Sequence, residues 1–294
     1  MPTPRLLLSV DDLDNDAVER VLRRANDWRT GDARPTDAPH IVGLLFLEPS
    51  LRTRAGFAAA TARLGWQSIE VGAPRVSPDL TSESWEDTLR TFSGFVDVVV
   101  TRPGRVLERD AICGLVAKPL VNGGDAGNAA EHPTQALIDL FAFRSIAPVD
   151  ELSIAICGDL RMRSVRSLVR LLARIPPREL VFISAPPLLD PTPLPKTLAN
   201  IVRYRTLSDL GGVDVLYVAG MPHRCLPEDE RATLRVTTEC LARLPDHGVV
   251  LSPLPLLDEI EAEARSDQRI RMFDQSDAGV AVRMAILEEV LCHP

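Results

Sequence analysis

Apolar positions recur along the chain in two alternating rhythms. Val18, Val21, Leu22 and Ala25 fall three and four apart, which predicts a helix over 12–28 capped by Asp14 or Asn15. Ile41 to Leu47 is instead a short unbroken apolar run, the length of a buried strand. Glu48-Pro49-Ser50 interrupts it, and the alanine-rich stretch 54–64 has helical propensity and is closed by Gly65. The alternation continues with a strand through 66–71, a Gly/Pro/Ser/Thr loop over 72–82, a helix over 84–94 and a β-branched strand over 96–101. A helix over 105–114, a strand over 119–122, the loop GGDAGNAAE and a helix over 134–143 follow. After Ile146-Ala-Pro-Val-Asp the rhythm restarts. Strands are predicted at 152–157, 180–185, 213–219 and 249–251, and helices at 164–173, 196–204, 228–242, 258–265 and 280–291.

Short strands separated by helical stretches are the signature of βαβ units, whose strands lie parallel with helices on both faces. The fold class expected is therefore α/β, with two doubly wound parallel-sheet domains joined near residue 145. The first spans 1–144 and the second begins at 145. Open parallel sheets bind ligands beyond the C-terminal ends of their strands, so each polar loop after a strand is a candidate site lining.

Composition narrows the function classes. Two ordinary domains fit 294 residues, and 45% hydrophobic with 25% charged residues is a globular balance. The formal net charge of -8 leaves no basic excess for nucleic acid or an anionic membrane, although a local arginine cluster can still hold phosphate. Only Lys118 and Lys196 are lysines, so any catalytic ammonium must be one of them. The start MPTPRLLLSVDD lacks the apolar core of a signal peptide, and no window is apolar enough to span a bilayer. Cys113, Cys157, Cys225, Cys240 and Cys292 are odd in number and scattered, which argues for reduced thiols in a cytoplasm and against structural zinc. No His/Cys/Asp cluster has metal-ligand spacing, so no metal is expected.

Chemistry concentrates where the first long strand ends. In Ser50-Leu51-Arg52-Thr53-Arg54 a strand gives way to a helix, and free backbone N–H groups, two hydroxyls and two guanidinium forks converge there. That set suits a phosphate-like dianion, and arginine supplies a bidentate geometry that lysine cannot.

With its surround FLEPSLRTRAGFAAATARLG, this turn resembles the carbamoyl phosphate signature S-T-R-T-R of the aspartate/ornithine carbamoyltransferase family. HPTQALIDL from His132 is similar to that family's second signature. CGDLRMRSVRSLVRLL and DQSDAGVAVRMAIL resemble the opening of the second domain and the final helix of the aspartate branch. The resemblance runs essentially the whole length of the chain. It implies that Ser50, Arg52, Thr53 and Arg54 hold the phosphate of carbamoyl phosphate. Arg102 would sit near the anhydride and carbonyl oxygen, His132 would donate to the carbonyl oxygen, and Gln135 would lie near the carbamoyl nitrogen. Donors such as Thr53, Arg102 and His132 would stabilise the oxyanion formed when an amine attacks. Asp125 and Asp139 read as structural acids, and Phe57 and Leu64 as core residues. The resemblance further implies that no cofactor is needed, and a homotrimer with shared active sites, residues 77–84 of one chain lying beside Ser50–Arg54 of the next. It also implies that the C-terminal helix, about 278–294, packs back on the first domain. The acceptor domain then spans 145–277.

Several positions depart from the pattern. Leu51 replaces a threonine, and the loop before His132 is about two residues longer than the family form. A loop lysine reaching a neighbouring subunit's site is Thr81 here, with Arg75, Ser77 and Ser82 nearby. The acceptor motif T-R-x-Q reads Ala219-Gly220-Met221-Pro222, and H-P-L-P-R reads Ser252-Pro253-Leu254-Pro255-Leu256. Arg163 matches the remaining arginine that clamps the acceptor's α-carboxylate, and its neighbour, a histidine in the family, is Arg166. Aspartate with carbamoyl phosphate brings about four negative charges together, and unpaired buried carboxylates are costly. The expectation from these losses is a carbamoyltransferase-like enzyme using an amine acceptor other than aspartate. A second reading, an inactive homologue serving as a structural or regulatory partner, stays open. The candidate set is Arg52, Thr53, Arg102 and His132 for catalysis. Ser50, Arg54, Gln135, Arg163, Leu254, Pro255 and the neighbouring subunit's Thr81 are the candidates for binding. His223 and Arg224 are either replacement contacts or a solvated loop, and Met221 is a candidate apolar contact.

Overall fold

A computed structural model describes residues 5–35, 38–72 and 83–292. The chain divides into two compact units, one of residues up to Leu137 with those from Ala278 onward, the other Ile138–Asp277.

The first unit begins with β1 (Leu6–Leu7) and α1 (Asn15–Thr30), followed by β2 (Ile41–Phe46), α2 (Leu51–Arg63), β3 (Gln67–Gly72) and α3 (Trp85–Ser93). Then come β4 (Val98–Arg102), α4 (Arg109–Leu115), β5 (Leu120–Asn122) and α5 (Pro133–Arg144), a helix that runs past the division at Leu137. The sheet order is β1-β5-β4-β2-β3, and every pairing is parallel. Asp14 caps α1 through the amide of Ala17, as its sequence position predicts. Phe57 and Leu64 are core residues. Gly65 takes a positive φ of 73° just beyond the end of α2, a conformation that favours glycine.

Register places the site. Phe46 at the end of β2 lies opposite Arg102 at the end of β4, and Thr101 lies opposite Asn122 at the end of β5. The Leu47 amide donates to the Arg102 carbonyl at 3.0 Å and the Gly123 amide to the Thr101 carbonyl at 2.7 Å. Three strand ends are therefore level, and the turns leaving them share one edge.

The second unit contains β6 (Ser153–Cys157), α6 (Arg163–Arg174), β7 (Glu179–Ile183), β8 (Val202–Tyr204), β9 (Val215–Val218), α7 (Glu228–Ala232), α8 (Thr238–Leu241) and β10 (Val249–Leu251). The last helix, α9 (Met272–Cys292), runs through the second division, carrying Gln275 in this unit and Arg283 in the first. The order is β10-β9-β6-β7-β8, again all parallel.

Three expected helices differ. Over 196–204 the chain makes turns and then edge strand β8, because Val202 and Tyr204 pair with β7 and the Tyr204 ring meets Phe182 edge-on at 5.9 Å. The helix expected over 228–242 is two short helices, split where Val236 bridges to Ile260. That bridge also keeps 258–265 from being helical, leaving one 3-10 turn at Ala264–Ser266. Among the described residues no helix is long and apolar enough to cross a membrane.

Candidate active site

The first unit gathers five of the sequence candidates at the level strand ends. Helix α2 starts immediately after Ser50, so its first turn carries Arg52 and Thr53. Arg102 ends β4, and its Nη1 donates to the Ser50 hydroxyl at 2.7 Å. Its Nε faces Glu48 at 3.6 Å, too long for a hydrogen bond, and is buried without an acceptor. The Thr53 hydroxyl and His132 Nε2 are 3.4 Å apart, and both residues are buried. Thr134 Oγ1 lies 3.2 Å from His132 Nδ1. A Cβ at Gly123 would stand 3.4 Å from the Thr53 methyl and 3.1 Å from the Thr101 carbonyl, so the β5 turn passes close to this group.

The loop from Gly123 to Glu131 is held by Asp125, whose carboxylate accepts from the Leu107 and Glu131 amides at 3.1 and 2.6 Å. The structural reading of Asp125 holds.

Charge is crowded at this edge. Arg52 is held below the usual arginine range by burial and then by the Arg102 guanidinium. Burial also lowers Arg102, with Glu48 opposing it. His132 falls to about 3, first through burial and then through Arg102, Arg283 and Arg52. It is therefore neutral at neutral pH.

That value carries a sign. The unfolded imidazole titrates near 6.5, so as pH falls below this the unfolded chain takes up a proton that the folded chain refuses. Stability is lost toward acid, by up to about 1.4 kcal/mol per pH unit from this one group. We expect His132→Gln to flatten the fall in urea stability between pH 7 and pH 5 by that slope. Identical slopes in variant and wild type would assign the acid sensitivity to other groups.

Arg283 was not among the sequence candidates. It lies inside α9 with only 4% of its surface exposed, 5.7 Å over the Phe57 ring. Its Nε has no hydrogen-bond partner, and burial followed by Arg52 lowers its pKa to about 10. A Cβ on Gly56 would come within 2.7 Å of its Nη1, so glycine there makes room for the guanidinium. The sequence signal was a single charge in the apolar stretch Val280-Ala-Val-Arg283-Met-Ala-Ile.

Arg54 is not gathered with the others: it is exposed and pairs with Glu70 on β3 at 3.7 Å. Gln135 is half-buried in the first turn of α5, its amide bonded to the His132 carbonyl. Arg75, Ser77, Thr81 and Ser82 lie outside the described residues.

In the second unit Arg163 opens α6, half-buried. Leu254 has a positive φ of 54°, and the Leu254–Pro255 peptide is cis. Gly220 faces this turn so closely that a Cβ would sit 2.9 Å from the Pro255 carbonyl. The loop after β9 is pinned from both sides. Glu259 accepts from the Met221 amide at 2.7 Å, and Arg231, paired with Asp258 and Glu259, donates to the Pro222 carbonyl at 3.2 Å. Met221 is packed in the core, which corrects its reading as an apolar substrate contact. His223 and Arg224 are exposed and make no hydrogen bond or ion pair with the other described residues. They line a recess of about 500 Å³ together with Arg231 and Asp258. Among the described residues no cluster of His, Cys, Asp or Glu could hold a metal ion.

Two parallel five-stranded sheets, with arginines, a threonine and a neutral histidine gathered at strand ends of the first, define an α/β protein with a cationic pocket suited to a small anion. Residues 5–145 match the family model for the carbamoyl-phosphate-binding domain of aspartate/ornithine carbamoyltransferase. The chain is 33% identical over 301 residues to the aspartate carbamoyltransferase catalytic subunit of Methanospirillum hungatei, covering 97% of this chain and 99% of that one. It superposes on the catalytic subunit of M. jannaschii aspartate transcarbamoylase with a TM-score of 0.85, at 30% identity and 97% coverage of both chains. The Trypanosoma cruzi aspartate transcarbamoylase, solved with N-(phosphonacetyl)-L-aspartic acid, is 28% identical with a TM-score of 0.82, covering 98% of this chain and 97% of that one. The chain belongs to the aspartate/ornithine carbamoyltransferase family, and within it stands closest to the aspartate carbamoyltransferase catalytic chain.

These findings overturn the expectation of an acceptor other than aspartate, and with it the reading as an inactive partner. The relatives named above are aspartate carbamoyltransferases matched over their full length, and the first shares a third of the aligned positions.

Proposed function

We propose that this protein is an aspartate carbamoyltransferase catalytic chain, transferring the carbamoyl group of carbamoyl phosphate to the amine of L-aspartate. The observation that carries the reading is the convergence of Arg52, Arg102, Thr53 and a neutral His132 on one strand edge, with the unpartnered Nε of Arg283 buried nearby. Like-charged guanidiniums forced together and dried out are costly in the free protein, and a phosphate dianion relieves that cost.

In this reading Ser50, Arg52 and the first-turn amides of α2 hold the phosphate. Arg54 joins them once its ion pair with Glu70 gives way. The deprotonated aspartate amine attacks the carbonyl carbon. The C–N bond forms, the C–O bond to phosphate breaks, and the ammonium proton leaves to solvent. Thr53, Arg102 and His132 donate to the oxygen as its negative charge develops. For that donation the His132 proton must sit on Nε2, the nitrogen beside Thr53, in the tautomer whose Nδ1 accepts from the Thr134 hydroxyl 3.2 Å away. Gln135 orients the carbamoyl nitrogen.

For the acceptor, Arg163 takes the α-carboxylate, and Leu254 and Pro255 shape the turn beside it. No side chain fits at 220, so the second carboxylate goes to Arg224, with His223 beside it. Both are exposed on a loop that Glu259 and Arg231 hold in place, and Arg224 brings the positive charge. We expect Arg224→Ala to raise KM for aspartate about tenfold while leaving KM for carbamoyl phosphate within about twofold. A rise in neither would remove Arg224 from the site. In this reading the protein assembles as a homotrimer. Sedimentation of the purified protein tests this.

The test of the whole reading is a steady-state assay for N-carbamoyl-L-aspartate and phosphate from carbamoyl phosphate and L-aspartate. Products in equal amounts are expected.

A further inference from the structure

A chain of buried hydrogen bonds in the second unit ends at the Leu254–Pro255 turn. It starts at Asp139 on α5, whose side chain is fully buried. One carboxylate oxygen of Asp139 accepts from the Tyr217 hydroxyl on β9 at 2.8 Å, the other from Gln275 Nε2 on α9 at 2.6 Å. The carbonyl oxygen of the same Gln275 side chain accepts from the Ser252 amide at 2.9 Å. The Ser252 hydroxyl in turn accepts from the Leu254 amide at 3.1 Å.

Each link has a fixed direction. A backbone N–H only donates, so the Gln275 amide must present its oxygen to Ser252 and thereby its NH2 to Asp139. Tyr217 stays a donor, since burial and then Asp139 push its phenol well above the ordinary range. Tyr217, Gln275 and Ser252 are all at least 97% buried, so no water competes for these bonds. The far end is different. Leu254 holds a left-handed backbone that non-glycine residues adopt only when their surroundings impose it. The relay supplies that constraint.

We propose that Asp139, Gln275 and Ser252 are positioning residues that fix the Leu254–Pro255 turn and through it the affinity for the acceptor. This inference rests on the reading of that turn as an acceptor contact. None of the three needs to touch substrate.

The test uses full-length protein carrying Gln275→Leu, Ser252→Ala or Ser252→Thr. Loss of one such bond is expected to raise KM for aspartate about tenfold in the first two variants. In both, kcat and KM for carbamoyl phosphate should stay within about twofold. Ser252→Thr keeps the hydroxyl and should restore the wild-type KM. Amide hydrogen exchange over residues 250–257 should quicken at least about tenfold in the first two variants and nowhere else. If Gln275→Leu fails to fold, Ser252→Ala decides alone, because it removes only one oxygen. Parallel rises in both KM values, or unchanged exchange over 250–257, would overturn the proposal. If the wild-type chain forms no carbamoyl aspartate, the proposed function fails, while the exchange measurement still decides whether the relay shapes the turn.

Discussion

Arg102→Ala is expected to lower kcat by about a thousandfold, the scale of losing an oxyanion donor in a dry site. Arg102 does two things that alanine cannot. Its Nη1 holds the Ser50 hydroxyl at 2.7 Å, and its guanidinium bears on both Arg52 and His132. Removing it relieves repulsion in the free protein, so the variant should fold at least as well as wild type. The loss therefore appears in turnover, not in stability. Arg102→Lys keeps the charge without the fork and should recover only a small part of the rate. The check is kcat by phosphate release at saturating substrates, with thermal unfolding alongside. A fall of less than about tenfold would place the developing charge elsewhere.

Arg283→Met is expected to separate stability from function. A buried guanidinium whose Nε has no acceptor, pressed toward Arg52, costs the free protein more than a well-packed apolar side chain. Methionine fits along Phe57 and should stabilise the fold by about 1–3 kcal/mol. The same change removes a charge held ready for the anion, so phosphate affinity should drop at least about tenfold. Urea unfolding and calorimetric titration with phosphate measure the two sides. A destabilised variant with unchanged phosphate affinity would make Arg283 purely structural.

Much of this edge was legible in the sequence. An apolar run stopped by Glu48-Pro49-Ser50 and followed by alanine-rich chain can only be a strand entering a helix, and parallel pairing then brings its end level with the ends of β4 and β5. Hence Ser50, Arg52, Thr53 and Arg102 meet as read. What failed was decided by distant partners. The segment 196–204 has helical composition, yet pairing with β7 draws its end into an edge strand. Residues 228–242 keep helical spacing, yet Val236 is taken by Ile260. Arg283 gives no signal in the periodicity of α9, which marks that helix's apolar face alone. The acceptor side failed for a related reason. Alignment position says which residue is missing, whereas charge balance depends on where any guanidinium stands in space. Gly220 has no room for a side chain beside Pro255, and the exposed Arg224 lies four residues further along the chain.

The most direct trial of the account is an acceptor comparison on the purified chain. With carbamoyl phosphate supplied, L-aspartate should be carbamoylated at least about a hundredfold faster than L-ornithine or simple alkyl amines, since a site built for two carboxylates rejects analogues that leave its charges unpaired. Equal or faster turnover of a monocarboxylate or neutral amine, or no product with aspartate at all, would contradict it.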